Sequence, residues 1–437
     1  MTSTTHPTIK LVLEKPVYGG DCLAHAESTH GKPGKAIFVP LTLPGEIVTA
    51  HTTEDKRSFA KAELDQILNA SPNRITPPCP HFGGCGGCHY QHADYPEQLA
   101  LKQQILRETL TRASVAIPAG INVLAKDPWT YRNRIRLAFN RAGEYGYRSR
   151  RSHTIVPVQE CPIAAPWLLM AARQVAVYLA ENPGPAPISE MELFTDTGET
   201  QLLITLFCEY TVATDTQPWL DALFSALSPQ PTGIRFQVAD GSLNPPILSA
   251  SGEPSIHYTA AGFDYRVDHG AFFQVNRWLV DDFVSLATSS HSGDLAWDMY
   301  AGVGLFARQL TRAFAQLVAV ESAPASGNAL QQNLTGTSAQ AVSSSTLDYL
   351  RRNRQEREPR PDLIILDPPR AGLGDETTSL LNAIGAPAIV YVSCDPTTLA
   401  RDLRALTLER YRVDNITMVD MFPQTFHIET VVTLSRS

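Results

Sequence analysis

Four short apolar runs dominate the carboxyl-terminal part of the chain: "LAWDMY" (295–300), "QLVAVES" (316–322), "LIILDPP" (363–369) and "AIVYVSC" (388–394). Stretches of helical character separate them. Strands that read as continuous apolar runs are buried on both faces, the mark of a parallel sheet sandwiched between helices. In such a sheet, ligands are held just beyond the carboxyl ends of the strands. The pattern begins near residue 262, so 262–437 is expected to be a doubly wound α/β domain. Its chemistry should lie in the residues that close each run.

Those residues are distinctive. The first run leads into "YAGVG", where Gly302 and Gly304 let the backbone approach a ligand at a helix start. Glu321 closes the next run, nineteen positions after Gly302, where a doubly wound fold places the carboxylate that holds a ribose. A nicotinamide-binding domain fits this pair nearly as well. The loop, however, reads D-x-Y-x-G-x-G rather than G-x-G-x-x-G, which favours S-adenosylmethionine and makes Tyr300 a candidate contact. The third run ends in Asp367-Pro368-Pro369-Arg370, whose prolines stiffen the exit; an ordinary strand-to-turn exit reads similarly. Cys394 closes the fourth run. A lone strand cysteine is usually a small buried hydrophobe, but a strand end between Ser393 and Asp395 suits a nucleophile. Glu429 precedes a terminal strand and alone would pass for a solvated loop acid.

The remainder is built differently. At 437 residues the chain has room for two to four domains. Residues 8 to about 66 read as short strands with turn signals at Gly19-Gly20, Lys32-Pro33-Gly34 and Pro44-Gly45, as in a small barrel. "CPHFGGCGGC" then gathers Cys79, Cys85 and Cys88, and the leucines of "PEQLALKQQILRETLTRA" fall at helical spacing. Scattered elsewhere, cysteines do not make a disulfide framework, and the cluster suggests metal binding in a reducing compartment. Spacing alone favours structural zinc. "YRNRIRLAFNRAGEYGYRSRRSH" (131–153) carries seven arginines against Glu144, a patch suited to phosphates, or else a solvated hairpin. The formal charge of −8 speaks against indiscriminate coating of nucleic acid. No apolar run reaches membrane-spanning length and the start carries no signal-peptide core, so a cytoplasmic protein is expected.

In combination, "GAFFQVN", "DMYAGVG", "ILDPPRAGL", "VSCDPTTLARD" and "FPQTFHIETVVTL" resemble the RNA 5-methyluridine methyltransferases, in that family's order and over nearly the whole chain. "GKAIFVPLTLPGEIV" resembles its TRAM domain, and the cysteine cluster with "YRNRIRLAF" its central RNA-binding domain. The resemblance implies a TRAM-like β-barrel at 1–70, a mixed α+β central domain at 71–261 and a Rossmann-like class I methyltransferase domain at 262–437. The helix near 96–115 is expected to pack on the last of these. Gln274, Tyr300, Glu321 and Asp367 match cofactor contacts, Cys394 the nucleophile and Glu429 the base. A four-iron four-sulfur (4Fe-4S) cluster is implied on Cys79, Cys85, Cys88 and Cys161, displacing the zinc reading, with 23S ribosomal RNA as substrate, transfer RNA as alternative, and a monomer as the working form. Two places depart from the family pattern. The Ser-rich stretch 341–360 leaves the adenine contact unassigned, and Asp395 stands where Asn is common. An adenine amino-group methyltransferase and a non-catalytic iron–sulfur RNA-binding protein are rivals; neither explains Cys394, Glu429 and the glycine loop together.

Overall fold

The computed structural model describes residues 8–26, 34–118, 120–242, 244–356 and 359–437. The chain forms two compact units, one made of Met1–Glu108, Arg148–Thr154 and Phe422–His427, the other of Thr109–Tyr147, Ile155–Met421 and Ile428–Ser437.

In the first unit the strands Thr8–Val12, Ile47–Asp55, Phe59–Asn69, Ala36–Pro40, Asp21–His25 and Lys15–Pro16 lie in that order in a six-stranded sheet. Alternate residues, among them Leu11, Cys22, Ile37, Val39, Val48 and Ala50, converge on one buried cluster. A period of two along strands of a curling sheet produces such a core. The turns expected at Gly19-Gly20 and Pro44-Gly45 are present, whereas Lys32-Pro33 lies outside the described residues. The cysteine loop that follows is irregular and held by polar contacts: Cys85 N donates to His81 O at 2.8 Å and Gly86 N to Arg148 O at 3.0 Å. Helix Tyr95–Arg112 comes next, with Leu101, Ile105, Leu106 and Leu110 buried. Asp94 caps its start by accepting from Glu97 N at 2.9 Å. Lys102, on the same helix, donates to Phe422 O at 3.0 Å.

The second unit contains two large sheets. One has seven strands, with Arg134–Phe139, Ile188–Thr195, Leu202–Cys208 and Gly233–Val238 at its centre. Its apolar face, including Ile135, Leu137, Met191, Leu193, Ile204 and Phe236, packs with residues of helices Pro166–Glu181 and Gln217–Ala226. The opposite face carries Arg134 and Arg136, and here the structure corrects the picture of one solvated or phosphate-seeking arginine run. Arg134 has a side chain only 15% exposed, 3.6 Å from Glu192, with its guanidinium 4.1 Å from the centre of the Phe194 ring. Arg136 bonds Glu190 at 2.6 Å and stacks over Phe207. Arg148 and Arg151 remain exposed. A hairpin joins Ser255–Ala260 to Phe263–Asp268; the division expected near residue 261 falls inside the second compact unit.

The other sheet runs Ala339–Ser343, Phe314–Glu321, Gly293–Met299, Leu363–Leu366, Ala388–Ser393, Glu429–Arg436, Tyr411–Val419, Asn122–Leu124. The four apolar runs occupy its middle, parallel to one another. Both edge strands escaped the sequence reading: Ala339–Ser343 is short, partly exposed and polar, and Asn122–Leu124 has three residues. Glu429–Arg436 is antiparallel to both its neighbours, a departure from the all-parallel expectation.

Breaking the Arg134–Glu192–Phe194 arrangement leaves a poorly solvated acid behind. Arg134→Gln should therefore lower stability in urea unfolding by roughly 2 kcal/mol and leave the salt dependence of RNA binding unchanged. Arg148→Gln should do the reverse, reducing the slope of log affinity against log salt by about one at unchanged stability.

Candidate active site

The sheet's strand order brings the candidate residues together. Strand Gly293–Met299 passes through Tyr300 and Gly302 into helix Leu305–Leu310. At Gly304, φ is +92° and a Cβ would sit 2.8 Å from Leu330 Cδ1, so the turn and the packing both demand glycine. Tyr300 also takes a left-handed φ of 65°, a strain that persists only where surroundings impose it. Glu321, closing the neighbouring strand, accepts from Gly302 N at 2.8 Å and from Ser322 N at 2.7 Å. Its carboxylate is thereby oriented across the glycine loop. A small pocket is lined by Phe272, Phe273, Gln274, Tyr300, Gly302, Phe306 and Asp367. Three of the four expected cofactor contacts thus share one pocket, and the fourth bonds its glycine.

Cys394 and Glu429 meet through strand pairing. Ser393 is the last residue of its strand and pairs with Thr430, the second residue of the antiparallel strand Glu429–Arg436. Cys394 directly follows Ser393 and Glu429 directly precedes Thr430, so the last pair of the register brings the two near enough for the Glu429 charge to act on the thiol. The Asp367-Pro-Pro-Arg370 exit is fastened from helix Pro396–Glu409: Thr398 Oγ1 donates to Arg370 O at 3.1 Å and Arg401 Nη2 to Ala371 O at 2.8 Å. Asp402, buried on that helix, accepts from Leu373 N and from Tyr391 OH, each at 2.7 Å. Asp395, the departure noted above, has a local task. Its Oδ1 accepts from Thr397 N at 2.9 Å and Thr398 N at 3.0 Å, capping the helix.

The electrostatics are crowded. Burial pushes the Cys394 thiol up to about 12, the charges of Glu429 and Asp367 push the same way, and Arg370 opposes them. Burial and then Asp367 raise the Glu429 carboxyl, again against Arg370; burial raises Asp367 itself. Glu429 Oε1 finds no hydrogen-bond partner among the described residues. Asp298, which the sequence reading quoted within its motif but gave no role, is fully buried and pushed up to about 8 by burial. Its Oδ2 accepts from Ala307 N at 2.8 Å. Burial and mutual repulsion thus disfavour the charged forms of Cys394, Glu429 and Asp367 together, and a positive charge beside them favours those forms.

Comparison with known proteins places the whole chain. Residues 355–437 match the family model described as tRNA (Uracil-5-)-methyltransferase, and residues 9–64 match the TRAM domain model. The chain is 30% identical over 439 residues to an uncharacterized RNA methyltransferase of Streptomyces avermitilis, covering 95% of each. It is 32% identical to the 23S rRNA (uracil(1939)-C(5))-methyltransferase RlmD of Shewanella amazonensis, covering 91% of this chain and 90% of that one. The solved structure of Pyrococcus abyssi tRNA (uracil-54, C5)-methyltransferase in complex with S-adenosyl-L-homocysteine shares the fold, with a TM-score of 0.77 at 24% identity, over 98% of this chain and all of that one.

A carboxyl whose folded pKa lies above its unfolded value keeps its proton longer when folded, so stability falls as pH rises between the two values. For Asp298 that window runs from about 4 to about 8. Chemical unfolding should show the protein losing stability over this range. Asp298→Asn should gain on the unaltered protein as pH rises through it, by roughly 1 to 3 kcal/mol; a gap that does not change with pH would count against the assignment.

Proposed function

As a member of the RNA (uracil-5-)-methyltransferase family, the chain transfers a methyl group from S-adenosylmethionine to uridine in RNA, and we propose that its target is a uridine of 23S ribosomal RNA. The observation that carries this choice is relatedness at about 30% identity spanning nine-tenths of both chains, with proteins named for that RNA. The transfer RNA enzyme, alike at 24% identity, supports only the fold. Membership also sets aside the two rival readings, amino-group methylation and a non-catalytic binding protein. No helix among the described residues is long and apolar enough to cross a membrane, and a cytoplasmic monomer acting on RNA fits the chain.

The division of labour follows from the site. S-adenosylmethionine supplies an electrophilic methyl group when bound. Gln274, Tyr300, Glu321 and Asp367 hold it, Glu321 taking the ribose hydroxyls and the acids offsetting positive charge. Cys394, once its thiol has given up its proton, adds as the thiolate to the uracil carbon adjacent to position 5; the electron pair displaced onto position 5 takes the methyl, and the sulfonium carbon–sulfur bond breaks to leave S-adenosylhomocysteine. Glu429 then removes the proton from position 5, the ring double bond re-forms, and the carbon–sulfur bond breaks to release the thiolate. A carboxyl raised by burial and by Asp367 suits this role, since a base works best with a pKa near the working pH. Arg370 is a positive neighbour that favours the ionised forms of both groups.

The domain reading stays as the sequence suggested, with 1–70 and 71–261 holding RNA and 262–437 performing transfer; the TRAM match supports the first. The cysteine loop calls for separate treatment. Among the described residues no group of three or more Cys, His, Asp or Glu side chains converges as a metal site would require. The donor chemistry nonetheless suits a 4Fe-4S cluster. Cys79, Cys85, Cys88 and Cys161 are outside disulfides. Cys85 and Cys88 line a pocket with Arg148, Arg150 and Arg151, and cations beside a thiolate-ligated group offset its negative charge. Cys161 belongs to the other unit, so its place as fourth ligand rests on the family pattern. The cluster is read as structural, fixing the RNA-binding part.

Mapping of 5-methyluridine in RNA from a strain lacking the gene should show one 23S position unmodified and transfer RNA unaffected. Loss confined to transfer RNA would replace the ribosomal assignment. Protein purified without oxygen should carry about four iron and four acid-labile sulfide per chain, and Cys85→Ser should abolish both; one zinc without iron would restore the reading from spacing.

A further inference from the structure

The start of the arginine-rich stretch is tied to the cofactor pocket. Asn133 N donates to Val275 O at 3.0 Å and Arg277 N to Tyr131 O at 2.9 Å, flanking an antiparallel bridge between Arg132 and Asn276. On its other side, Asn133 O accepts from Thr195 N at 2.9 Å, the last residue of strand Ile188–Thr195. Residues 131–133 therefore form a ladder between the seven-stranded sheet and the segment that begins at Gln274. All of these residues belong to the second compact unit. Residues 271–274 lie in no helix or strand, so their course depends on bonds from elsewhere in the unit.

The Asn133 side chain supplies the bond that matters most. It is fully buried, and its Nδ2 donates to Gln274 O at 3.0 Å and to Tyr258 OH at 3.1 Å. A main-chain carbonyl can only accept, so the amide nitrogen is the atom that must face Gln274 O. Tyr258, also fully buried, packs its ring on Phe273 with centroids 4.4 Å apart. One side chain thus grips the backbone of Gln274 directly and the ring of Phe273 through Tyr258. The grip has a cost, because Asn133 Oδ1 is buried with no partner among the described residues. What the position gains is the two donors. Both residues they hold, Phe273 and Gln274, line the pocket beside Tyr300, Gly302 and Asp367.

We propose that Asn133 is a positioning residue for S-adenosylmethionine: it fixes the backbone at Gln274 and the ring of Phe273, and so sets the direction in which the Gln274 side chain meets the cofactor. Being fully buried, Asn133 reaches neither cofactor nor RNA itself. The motif "YRNRIRLAF", which resembles part of an RNA-binding domain, therefore serves the methyl donor at this residue. The inference rests on the reading of Gln274 as a cofactor contact.

The test is a double-mutant cycle read by calorimetry with S-adenosylmethionine in the absence of RNA, with binding of a 23S ribosomal RNA transcript measured in parallel. The main-chain bonds of the ladder remain in Asn133→Ala, so only the side chain's contribution is removed. That variant should bind S-adenosylmethionine about tenfold more weakly and the transcript within about twofold of the unaltered protein. Gln274→Ala should lose about tenfold or more, and the double variant no more than about twofold beyond Gln274→Ala alone, because Asn133 acts through Gln274. Losses that simply multiply, to about a hundredfold, would show general loosening of the fold and overturn the proposal. So would unchanged cofactor affinity in Asn133→Ala, or weakened transcript binding with cofactor affinity intact, which would return the residue to RNA binding. Gln274→Ala that binds S-adenosylmethionine normally rejects the contact assignment itself. Asn133→Ser, whose hydroxyl is too short to span to Gln274 O but which leaves a smaller void, gives the same readout if the alanine variant does not fold.

Discussion

One pairing decides where the chemistry is: the antiparallel insertion of Glu429–Arg436 between Ala388–Ser393 and Tyr411–Val419. In a parallel sheet every strand presents its carboxyl end to the ligand face, and its beginning lies on the far side. A base carried at the start of a strand reaches that face only if its strand is reversed. Reversal turns two positions 35 residues apart in the chain, Cys394 and Glu429, into cross-strand neighbours. Ala388–Ser393 is buried along almost its whole length, as is the half of Tyr411–Val419 that ends opposite Glu429, so the strand ends beside Cys394 and Glu429 are firmly held.

That geometry has an electrostatic consequence. Collecting Cys394, Glu429, Asp367 and Asp298 at adjacent strand ends, away from water, disfavours ionisation of each. Arg370 opposes that trend at Cys394 and Glu429, and a cation placed among these groups would favour their charged forms in the same way.

The same economy governs the glycine loop and the proline exit. Glu321 spends its oxygens on backbone N–H groups of the loop it faces, and Asp402 spends both of its on the Asp367 exit, Tyr391 and Arg401. Both carboxylates thereby help to fix the loops they face. Asp395 belongs with them: as a helix cap it accepts from the N–H groups of Thr397 and Thr398.

Much of this was legible in the residues alone. Apolar runs long enough to be buried on both faces determine strands and their order of chemistry-bearing ends, because no other element hides such a run while exposing its last residue. The glycine at 304, the cap at 395 and the helix after the cysteine loop are local consequences of steric and hydrogen-bonding rules, and the chain states them locally. What pairs with what is not local. Arg134 and Arg136 read as a basic patch until the adjacent strand supplied Glu192 and Glu190 across the register. Ala339–Ser343 gave no strand signal, because an edge strand need not be apolar. The raised acids, the reversal of the last strand and the bond between Gln98 and Gln424, 326 residues apart, arise only when distant segments exclude water together. Burial and charge proximity are properties of the assembled chain, and only the tertiary structure decided them.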